Sequence, residues 1–392
     1  MPSKKKLLIL SSFGGYGHIA SANTLDTLLS DEYDLDVVYP IKELRIFKLP
    51  HGEAFYNYLL MNNMTRLTNW IVRWITAPLF QQRRKKIERM IDKHIREKKS
   101  DFVISLIPFV NYPVSEAARK MGIPFLIVTT DNDLHNWACD LYKKKHNQFK
   151  VTLGSDLSTS KGALLAANIL EEEMEITGLP LRPEFIQMKS KQELRSEYEI
   201  PRDKNIVLIM MGGTGARLSC QYVKAISQNL QGVHLIVCAG RNKKLGKKLK
   251  SIQLGKGNTI DVIPFTEKVH ELFALSDLII TKPGPGTINE AIACKLPILI
   301  DRLKPPVFWE KANMDLVLKY GIGACIRSLE EAPEMVGRFL FDEQLRESVI
   351  RAYKEIPTNQ FANRIKPLIE EMMGQNISGE VVMTSRSMTS SQ

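Results

Sequence analysis

The sequence predicts an α/β fold with two similar domains, each containing a largely parallel β-sheet. Its 392 residues exceed what one hydrophobic core usually supports, which is below about 250 residues. With 44% hydrophobic and 25% charged residues, the composition excludes collagen-like, wholly disordered and polytopic membrane classes. Short apolar runs alternate with segments of helical period, as in βα units, and this pattern occurs twice along the chain.

Five strands are predicted in each half of the chain. In the first half they cover residues 7–10, 35–39, 102–107, 125–129 and 151–153. In the second half they cover residues 206–211, 234–238, 261–263, 278–281 and 298–300. We place the first domain at residues 1–183 and the second at 184–350, because the proline-containing stretch 178–183 reads as a link. A helix at 351–373 is expected to return toward the first domain, and the Ser- and Thr-rich tail 374–392 is expected to be disordered.

The net charge of +11 predicts an anionic partner, whether nucleic acid, a membrane surface or a phosphorylated ligand. The five cysteines lie far apart without a CxxC pair, so neither a disulfide framework nor a zinc site is expected, and a reducing cytosol fits best. The basic start and short apolar run of residues 4–10 read as a strand and not as a signal peptide. No apolar run approaches the roughly 18 residues of a membrane span.

A glycine-rich turn follows the first predicted strand. Gly15-x-Gly17-x-x-Ala20 matches a short dinucleotide-binding fingerprint, with Asp36 near the place of a ribose-binding acid. A tight strand-to-helix turn without a ligand explains the same residues. His18 falls in the first helical turn, where the helix dipole disfavours imidazolium, so it is a candidate neutral base.

A second glycine turn, residues 282–291, follows the predicted strand 278–281. Gly284, Gly286 and Thr287 can offer N–H and hydroxyl donors to a diphosphate at the start of a helix. Glu290, one turn further, can accept hydrogen bonds from both hydroxyls of a ribose. A similar turn at residues 211–216 follows the first strand of the second half, although tight βα geometry alone remains the alternative.

These motifs together resemble glycosyltransferase family 28, whose GT-B fold has two Rossmann-like domains facing a central cleft. Residues 282–291 are similar to its nucleotide-sugar motif, and residues 14–22 to its glycine-histidine turn. Residues 129–137 resemble the Thr-Asp…His…Trp segment of its glycolipid branch, the monogalactosyldiacylglycerol synthases and diacylglycerol glucosyltransferases. Residues 177–183 are similar to the interdomain link and 264–266 to the loop over the donor base, so the resemblance covers about residues 5–370.

The resemblance implies an inverting transferase that moves a hexose from a UDP-sugar to a lipid such as diacylglycerol. Residues 1–183 would bind the acceptor and residues 184–350 the UDP-sugar, which is a substrate, so no cofactor is expected. On the acceptor side the resemblance implies His18 as base, Asp131 as orienting group or alternative base, and Gly15, Gly17, His135 and Trp137 as neighbours. On the donor side it implies Gly212, Gly213, Thr214, Gly284, Gly286 and Thr287 at the diphosphate, Glu290 at the ribose, Phe265 and Thr266 at the uracil, and Glu310 and Asn313 at the sugar.

Two features leave alternatives open. Asp131-Asn132-Asp133 is a literal DxD, the spacing with which another glycosyltransferase fold binds a metal, but the GT-B resemblance implies no metal, and Asp133 can simply cap the next segment. Trp309 stands where the family has a residue expected to hydrogen-bond sugar hydroxyls, which leaves the donor hexose unassigned. A polyprenyl-linked or protein acceptor and a non-catalytic nucleotide-sugar-binding protein remain alternatives; a dehydrogenase would leave the second half unexplained.

The basic charge is concentrated at residues 83–99, directly after an aromatic-rich segment, and residues 54–99 are expected to face a membrane. Aromatic rings at headgroup level and cations against anionic lipid suit an interfacial anchor; the candidate residues are Trp70, Trp74, Arg83, Arg84, Lys85 and Lys86. A solvated helix packed on the domain is the alternative. Nucleic acid is disfavoured because no reading motif accompanies the charge. We therefore expect a cytoplasmic protein associated peripherally with the cytoplasmic face of a membrane.

Overall fold

The computed structural model describes residues 4–14, 16–44, 52–61, 64–141, 146, 148–212, 217–255 and 257–386. The chain divides into two compact units. Unit 1 takes the described parts of Met1–Phe55, Ile71–Leu181 and Asn359–Gln392, and unit 2 those of Tyr56–Trp70 and Arg182–Thr358.

Each unit contains one six-stranded sheet in which every strand pair is parallel. Unit 1 has β1 (Lys5–Leu10), β2 (Tyr33–Val38), β3 (Phe102–Ser105), β4 (Phe125–Val128), β5 (Phe149–Leu153) and β6 (Met174–Ile176), in the order β2-β1-β3-β4-β5-β6. Unit 2 has β7 (Asn205–Met210), β8 (Val233–Gly240), β9 (Thr259–Pro264), β10 (Leu278–Thr281), β11 (Ile298–Asp301) and β12 (Gly323–Ile326), in the order β12-β11-β10-β7-β8-β9. The predicted pair of Rossmann-like parallel-sheet domains is confirmed.

The helices connect the strands in the expected βα alternation. In chain order they are α1 (Tyr16–Leu29), α2 (Pro40–Leu44), α3 (Gly52–Met61), α4 (Thr65–Ile71), α5 (Ala77–Gln82), α6 (Arg84–Lys98), α7 (Asn111–Met121), α8 (Ser158–Leu165), α9 (Lys191–Glu197), α10 (Leu218–Asn229), α11 (Lys243–Lys250), α12 (Val269–Leu275), α13 (Pro285–Ala293), α14 (Lys311–Tyr320), α15 (Ala332–Phe341), α16 (Glu343–Lys354) and α17 (Phe361–Arg386). A π-helical stretch, Val72–Thr76, joins α4 to α5. Among the described residues, no helix is long and apolar enough to cross a bilayer.

The core of unit 1 has two layers, one on each face of the sheet. On one face, α6 buries Ile87, Ile91 and Ile95, which recur every four residues and so share one side of the helix. On the other face, α1 and α17 cover the sheet, and Phe361 and Ile365 of α17 are fully buried against β1 and β3. The first core therefore contains residues from both ends of the chain.

The boundaries differ in detail from those expected from the sequence. The link between units falls at Leu181 and Arg182, and unit 2 also takes up Tyr56–Trp70 from the first half of the chain. Helix α17 continues to Arg386, through most of the tail expected to be disordered, and residues 387–392 lie outside the described residues. The sequence does not predict β6 and β12, because both are short edge strands and neither contains a run of large apolar residues.

Strand order locates the place where each sheet can bind a ligand. In unit 1 the chain adds β2 on one side of β1 and then adds β3 to β6 on the other side, so the strand order reverses between β1 and β3. In unit 2 the strand order reverses in the same way between β7 and β10. Ligands in open parallel sheets bind beyond the carboxyl ends of strands at such a switch point, where adjacent connections leave on opposite faces. The predicted glycine turns follow β1, β7 and β10, so all three lie at a switch point.

Candidate active site

The turn after β1 brings His18 to the switch point of unit 1. Ser12 Oγ donates to Glu53 Oε1 at 2.7 Å, and the Phe13 N–H donates to the same oxygen at 3.0 Å, so Glu53 holds the start of the turn. Gly15 lies outside the described residues. At Gly17 an added Cβ would meet none of the described atoms within 4 Å, so packing alone does not require a glycine there.

His18 is held as a neutral imidazole. Its Nδ1 lies 3.2 Å from Thr130 Oγ1, just beyond β4, and its ring centroid lies 6.4 Å from that of Trp137. Burial lowers the pKa of His18 to about 4, and a hydrogen bond to the Leu106 carbonyl opposes this only in part. A ring that is unprotonated at neutral pH can accept a proton, so the structure gives His18 the protonation state that a general base needs.

The segment after β4 has an inner and an outer side. Asp131 Oδ1 accepts the Asn132 N–H at 2.7 Å, and Asn132 itself is buried. Asp133 Oδ1 accepts the His135 N–H at 3.1 Å, so it caps the following turn, while the His135 side chain is 73% exposed. Trp137 is buried in the core. Of the expected acceptor-side residues, the structure thus brings Trp137 close to His18.

The turn after β10 is open on its outer side. At Gly284 and Gly286 an added Cβ would meet none of the described atoms within 4 Å, so neither glycine is explained by packing. Gly284 caps helix α13, and Thr287 lies in its first turn, so free N–H groups point out of the turn. Asn313 is fully buried and donates to the Pro283 carbonyl at 3.0 Å, which places it behind the turn as a support.

The turn after β7 contributes one described glycine. Gly212 has a φ of +91°, a conformation that other residues rarely adopt. The glycine is therefore required by the backbone, whatever ligand the turn binds. Gly213 and Thr214, expected at the diphosphate, lie outside the described residues.

Glu290 is paired with Arg182, a residue to which the sequence analysis assigns no role. Arg182 Nε and Nη2 both donate to Glu290 Oε1, at 3.1 and 2.7 Å. Burial raises the pKa of Glu290, and the Arg182 guanidinium opposes that rise. Both bonds use one oxygen, and among the described residues no hydrogen bond reaches Oε2, which is therefore available as an acceptor.

A second acid, Glu310, follows β11 in the chain and interacts electrostatically with Lys282, the residue directly after β10. Burial raises the pKa of Glu310 to about 7, and the Lys282 ammonium opposes this rise. Burial lowers the pKa of Lys282, whereas Glu310 and Asp301 act to raise it. Asp301 accepts a hydrogen bond of 2.8 Å from the buried hydroxyl of Tyr222, which fixes that carboxylate. The arrangement places a cation beside the open glycine turn.

The loop after β9 carries the residues expected at the uracil. The Phe265 side chain is 45% exposed, and the guanidinium of Arg241 lies 3.8 Å from its ring centroid. Thr266 Oγ1 accepts the Lys268 N–H at 3.0 Å, so this hydroxyl closes a turn just before α12. An exposed aromatic ring beside a cation is a suitable surface for stacking a base.

The sequence does not predict several contacts that shape the site. Arg182, Lys282 and Thr130 lie inside the motifs but have no assigned role, and Glu53 and Arg241 lie outside them. Their partners are distant along the chain: Thr130 is 112 residues from His18, and Arg182 is 108 residues from Glu290. For Arg182, Lys282 and Thr130, membership in a motif is the one sequence signal that could have indicated a role in the site.

The residues expected at a membrane fall into two groups. Trp70 and Trp74 are 55% and 64% exposed, and Lys85 and Lys86 are also exposed. Arg83 instead donates to the Leu44 carbonyl at 3.2 Å, and Arg84 forms a salt bridge with the nearly buried Asp140. These two arginines are therefore engaged in the packing of α6, in line with the alternative of a helix packed on the domain.

Comparison with known proteins finds similarity in both sequence and fold. Residues 206–300 match the glycosyltransferase family 28 C-terminal domain. The structure is similar to the MurG crystal structure from Acinetobacter baumannii, with a TM-score of 0.65 and 15% identity over 94% of this chain and 100% of that one. The sequence is 27% identical to the processive diacylglycerol beta-glucosyltransferase of Bacillus subtilis strain 168, over 96% of this chain and 97% of the relative. It is also 27% identical to the enzyme of that name from Bacillus licheniformis, over 98% of each chain.

The fold is that of GT-B glycosyltransferases, and the family match and the named relatives identify the protein as a glycosyltransferase. Its second unit matches the C-terminal domain of glycosyltransferase family 28, and the resemblance seen in the motifs is confirmed.

Replacing Arg182 tests its role in holding Glu290 ionised. In Arg182→Met the buried carboxyl loses its cation and is expected to take up a proton near neutral pH, so UDP affinity should fall by roughly one to two orders of magnitude. Isothermal titration calorimetry with UDP measures this. In a Glu290→Gln background the same arginine substitution should change affinity little, because the partner charge is already gone. If Arg182→Met lowered UDP affinity by the same factor in the wild type and in Glu290→Gln, the result would contradict the pairing.

Proposed function

We propose that the protein is an inverting glycosyltransferase that transfers a hexose from a UDP-sugar to a lipid acceptor such as diacylglycerol. The observation that carries the donor half is the open turn at Gly284 and Gly286, whose glycines face no protein atom among those described. The acceptor class is supported by the near-full-length similarity to two enzymes named as diacylglycerol beta-glucosyltransferases, which also makes glucose the first hexose to test.

In the donor half, each group of the UDP-sugar has a chemically matched partner. The diphosphate would lie at the N-terminus of α13, where unpaired N–H groups and the helix dipole favour negative charge, with the ammonium of Lys282 nearby. The free Oε2 of Glu290 would accept from the ribose hydroxyls, and Phe265 would stack on the uracil. Glu310 would accept hydrogen bonds from sugar hydroxyls.

The reaction proposed is a single displacement at the anomeric carbon. The acceptor oxygen forms the new bond to that carbon while the bond to the β-phosphate oxygen breaks, and UDP leaves with the electron pair. The acceptor hydroxyl proton passes to His18, with Asp131 orienting the acceptor or taking the proton instead. The developing charge on UDP is stabilised by the α13 N-terminus, so no metal or cofactor is required by this scheme.

We further propose that the protein associates peripherally with the cytoplasmic face of a membrane, where its lipid acceptor would be found. Exposed aromatic rings at Trp70 and Trp74 suit the headgroup level. Lys85, Lys86 and Arg89 are exposed on α6 and make no ion pair with any described residue, so they are available to anionic lipid.

Removing the imidazole of His18 should separate catalysis from donor binding. With UDP-glucose, UDP-galactose or UDP-N-acetylglucosamine and diacylglycerol vesicles, the wild type should form a glycolipid and release UDP with at least one donor. His18→Ala should lower kcat by roughly two to four orders of magnitude with little change in UDP affinity, because the base is lost and the donor unit is intact. Glu290→Ala should show the reverse pattern.

Three results would change this assignment. If no donor binds the wild type, the enzyme class is wrong, and if a donor binds without transfer or release, the protein is a nucleotide-sugar-binding protein. Loss of UDP affinity in His18→Ala would remove that residue from the role of base.

The pKa of Glu310 predicts a pH dependence of donor binding. Its carboxylate form, which accepts hydrogen bonds, becomes the major form as pH rises through about 7. UDP-sugar affinity should therefore increase several-fold from pH 6 to pH 8, measured by titration calorimetry. Glu310→Gln should bind with an affinity that is flat over this range. An equal pH dependence in both proteins would assign the effect to another group.

The membrane proposal predicts a salt-sensitive effect of the two exposed lysines. Lys85→Ala/Lys86→Ala should weaken binding to vesicles containing phosphatidylglycerol, because each cation near an anionic surface contributes about 1 kcal/mol. Cosedimentation at low and high salt measures this, and the difference should vanish at high salt. Lys247→Ala/Lys248→Ala, on exposed positions of α11 in unit 2, removes the same charge and should bind like the wild type. Equal losses in both double variants would indicate a general charge effect.

A further inference from the structure

A segment from the first half of the sequence forms part of the donor-binding unit. Tyr56–Trp70, hereafter the insert, comprises most of α3 and α4 and belongs to unit 2, although the residues on either side belong to unit 1. The resemblance to the family assigns no donor role to this region. Three of its contacts within unit 2 meet one loop, the connection between β11 and α14, here called the β11 loop (302–310).

Asn69 makes two hydrogen bonds to the backbone of the β11 loop. Its Nδ2 donates to the Pro306 carbonyl at 3.4 Å, and its Oδ1 accepts the Phe308 N–H at 3.0 Å. The two bonds use the donor and the acceptor of a single side-chain amide, and so require an amide at this position. Aspartate would keep the acceptor alone, and alanine would keep neither.

An aromatic contact lies next to this pair of hydrogen bonds. The rings of Tyr56 and Trp309 are stacked at a centroid distance of 6.3 Å and an interplanar angle of 29°. Phe308 packs edge-on against Trp309 at 4.8 Å. The tryptophan that departs from the family pattern therefore has a partner in the insert, and the insert contacts the loop at Pro306, Phe308 and Trp309.

Two prolines limit the backbone hydrogen bonds that the β11 loop can make. Pro305 and Pro306 have no N–H to donate, and Val307 is the deeply buried residue of the loop. The Phe308 N–H opens a turn of 3₁₀ helix, Phe308–Glu310, and so has no partner within that turn. Asn69 satisfies this N–H, and the same turn ends at Glu310, the residue proposed to bind the sugar.

We propose that Asn69 is a positioning residue of the donor site, which holds the β11 loop so that Glu310 is placed for the sugar of the UDP-sugar. This inference rests on the proposed function, since it assigns the insert to the sugar end of the same site. Uridine, ribose and diphosphate are matched by groups on other loops, so Asn69 acts on recognition of the hexose and not of UDP.

The experiment compares UDP-sugar and UDP binding in the absence of lipid. The wild type, Asn69→Ala, Asn69→Asp and Leu67→Ala are titrated by calorimetry with UDP and with the UDP-sugar donor that the wild type uses. Leu67 is 39% exposed on the same helix and serves as the matched control. Thermal unfolding of each variant shows whether it is folded.

Asn69→Ala is expected to weaken UDP-sugar binding by roughly tenfold and to leave UDP binding within about twofold, because two hydrogen bonds to the sugar-side loop are lost. Asn69→Asp, which keeps the bond to the Phe308 N–H, should lie between it and the wild type, and Leu67→Ala should match the wild type. Equal UDP-sugar affinity in Asn69→Ala and wild type would overturn the inference, as would a parallel loss of UDP affinity in folded Asn69→Ala and Asn69→Asp. Failure of the wild type to bind any UDP-sugar would refute the proposed function instead.

Discussion

Parallel strand pairing is the constraint on which the rest of this structure depends. Because the strands in each sheet run in one direction, each delivers its following turn to the same edge. The strand orders leave the connections after β1 and β3, and after β7 and β10, on opposite faces, which opens a space at the carboxyl ends. His18 and the turn at Gly284 occupy those positions in the two units. At one of these edges Gly212 has a φ of +91°, a conformation that other residues rarely adopt.

Burial sets the protonation states at both edges. Desolvation is the largest influence on His18, Glu290 and Glu310, and in each case it favours the neutral form. For His18, the proposed base, the neutral form is the one required, because neutral imidazole accepts a proton. For the acids it must be opposed, and a cation lies beside each: Arg182 for Glu290 and Lys282 for Glu310. The acid and its cation act as one unit, since either alone would be costly to bury.

The insert changes the meaning of two sequence features. Trp309, a departure from the family pattern, packs on Tyr56, so its ring has a structural partner within unit 2. The aromatic-rich region before α6 is divided between the two units, since Trp70 belongs to unit 2 and Trp74 to unit 1. Exposure of both rings still suits a lipid surface, whereas Arg83 and Arg84 have partners inside unit 1. A basic run in a sequence counts charges without showing which of them are already paired.

Local pattern was sufficient for the fold class, for ten of the strands and for the turns that carry the chemistry, because apolar periodicity and glycine placement involve residues adjacent in the chain. The edge strands β6 and β12 were not predicted, since both are short and neither contains a run of large apolar residues. Tertiary structure alone decided which residues support the site. Thr130 meets His18 across 112 residues, Arg182 meets Glu290 across 108, and Asn69 meets Phe308 across 239. These pairs form because of the strand order and because the insert packs on the second half of the chain. Neither can be deduced from the spacing of residues along the sequence.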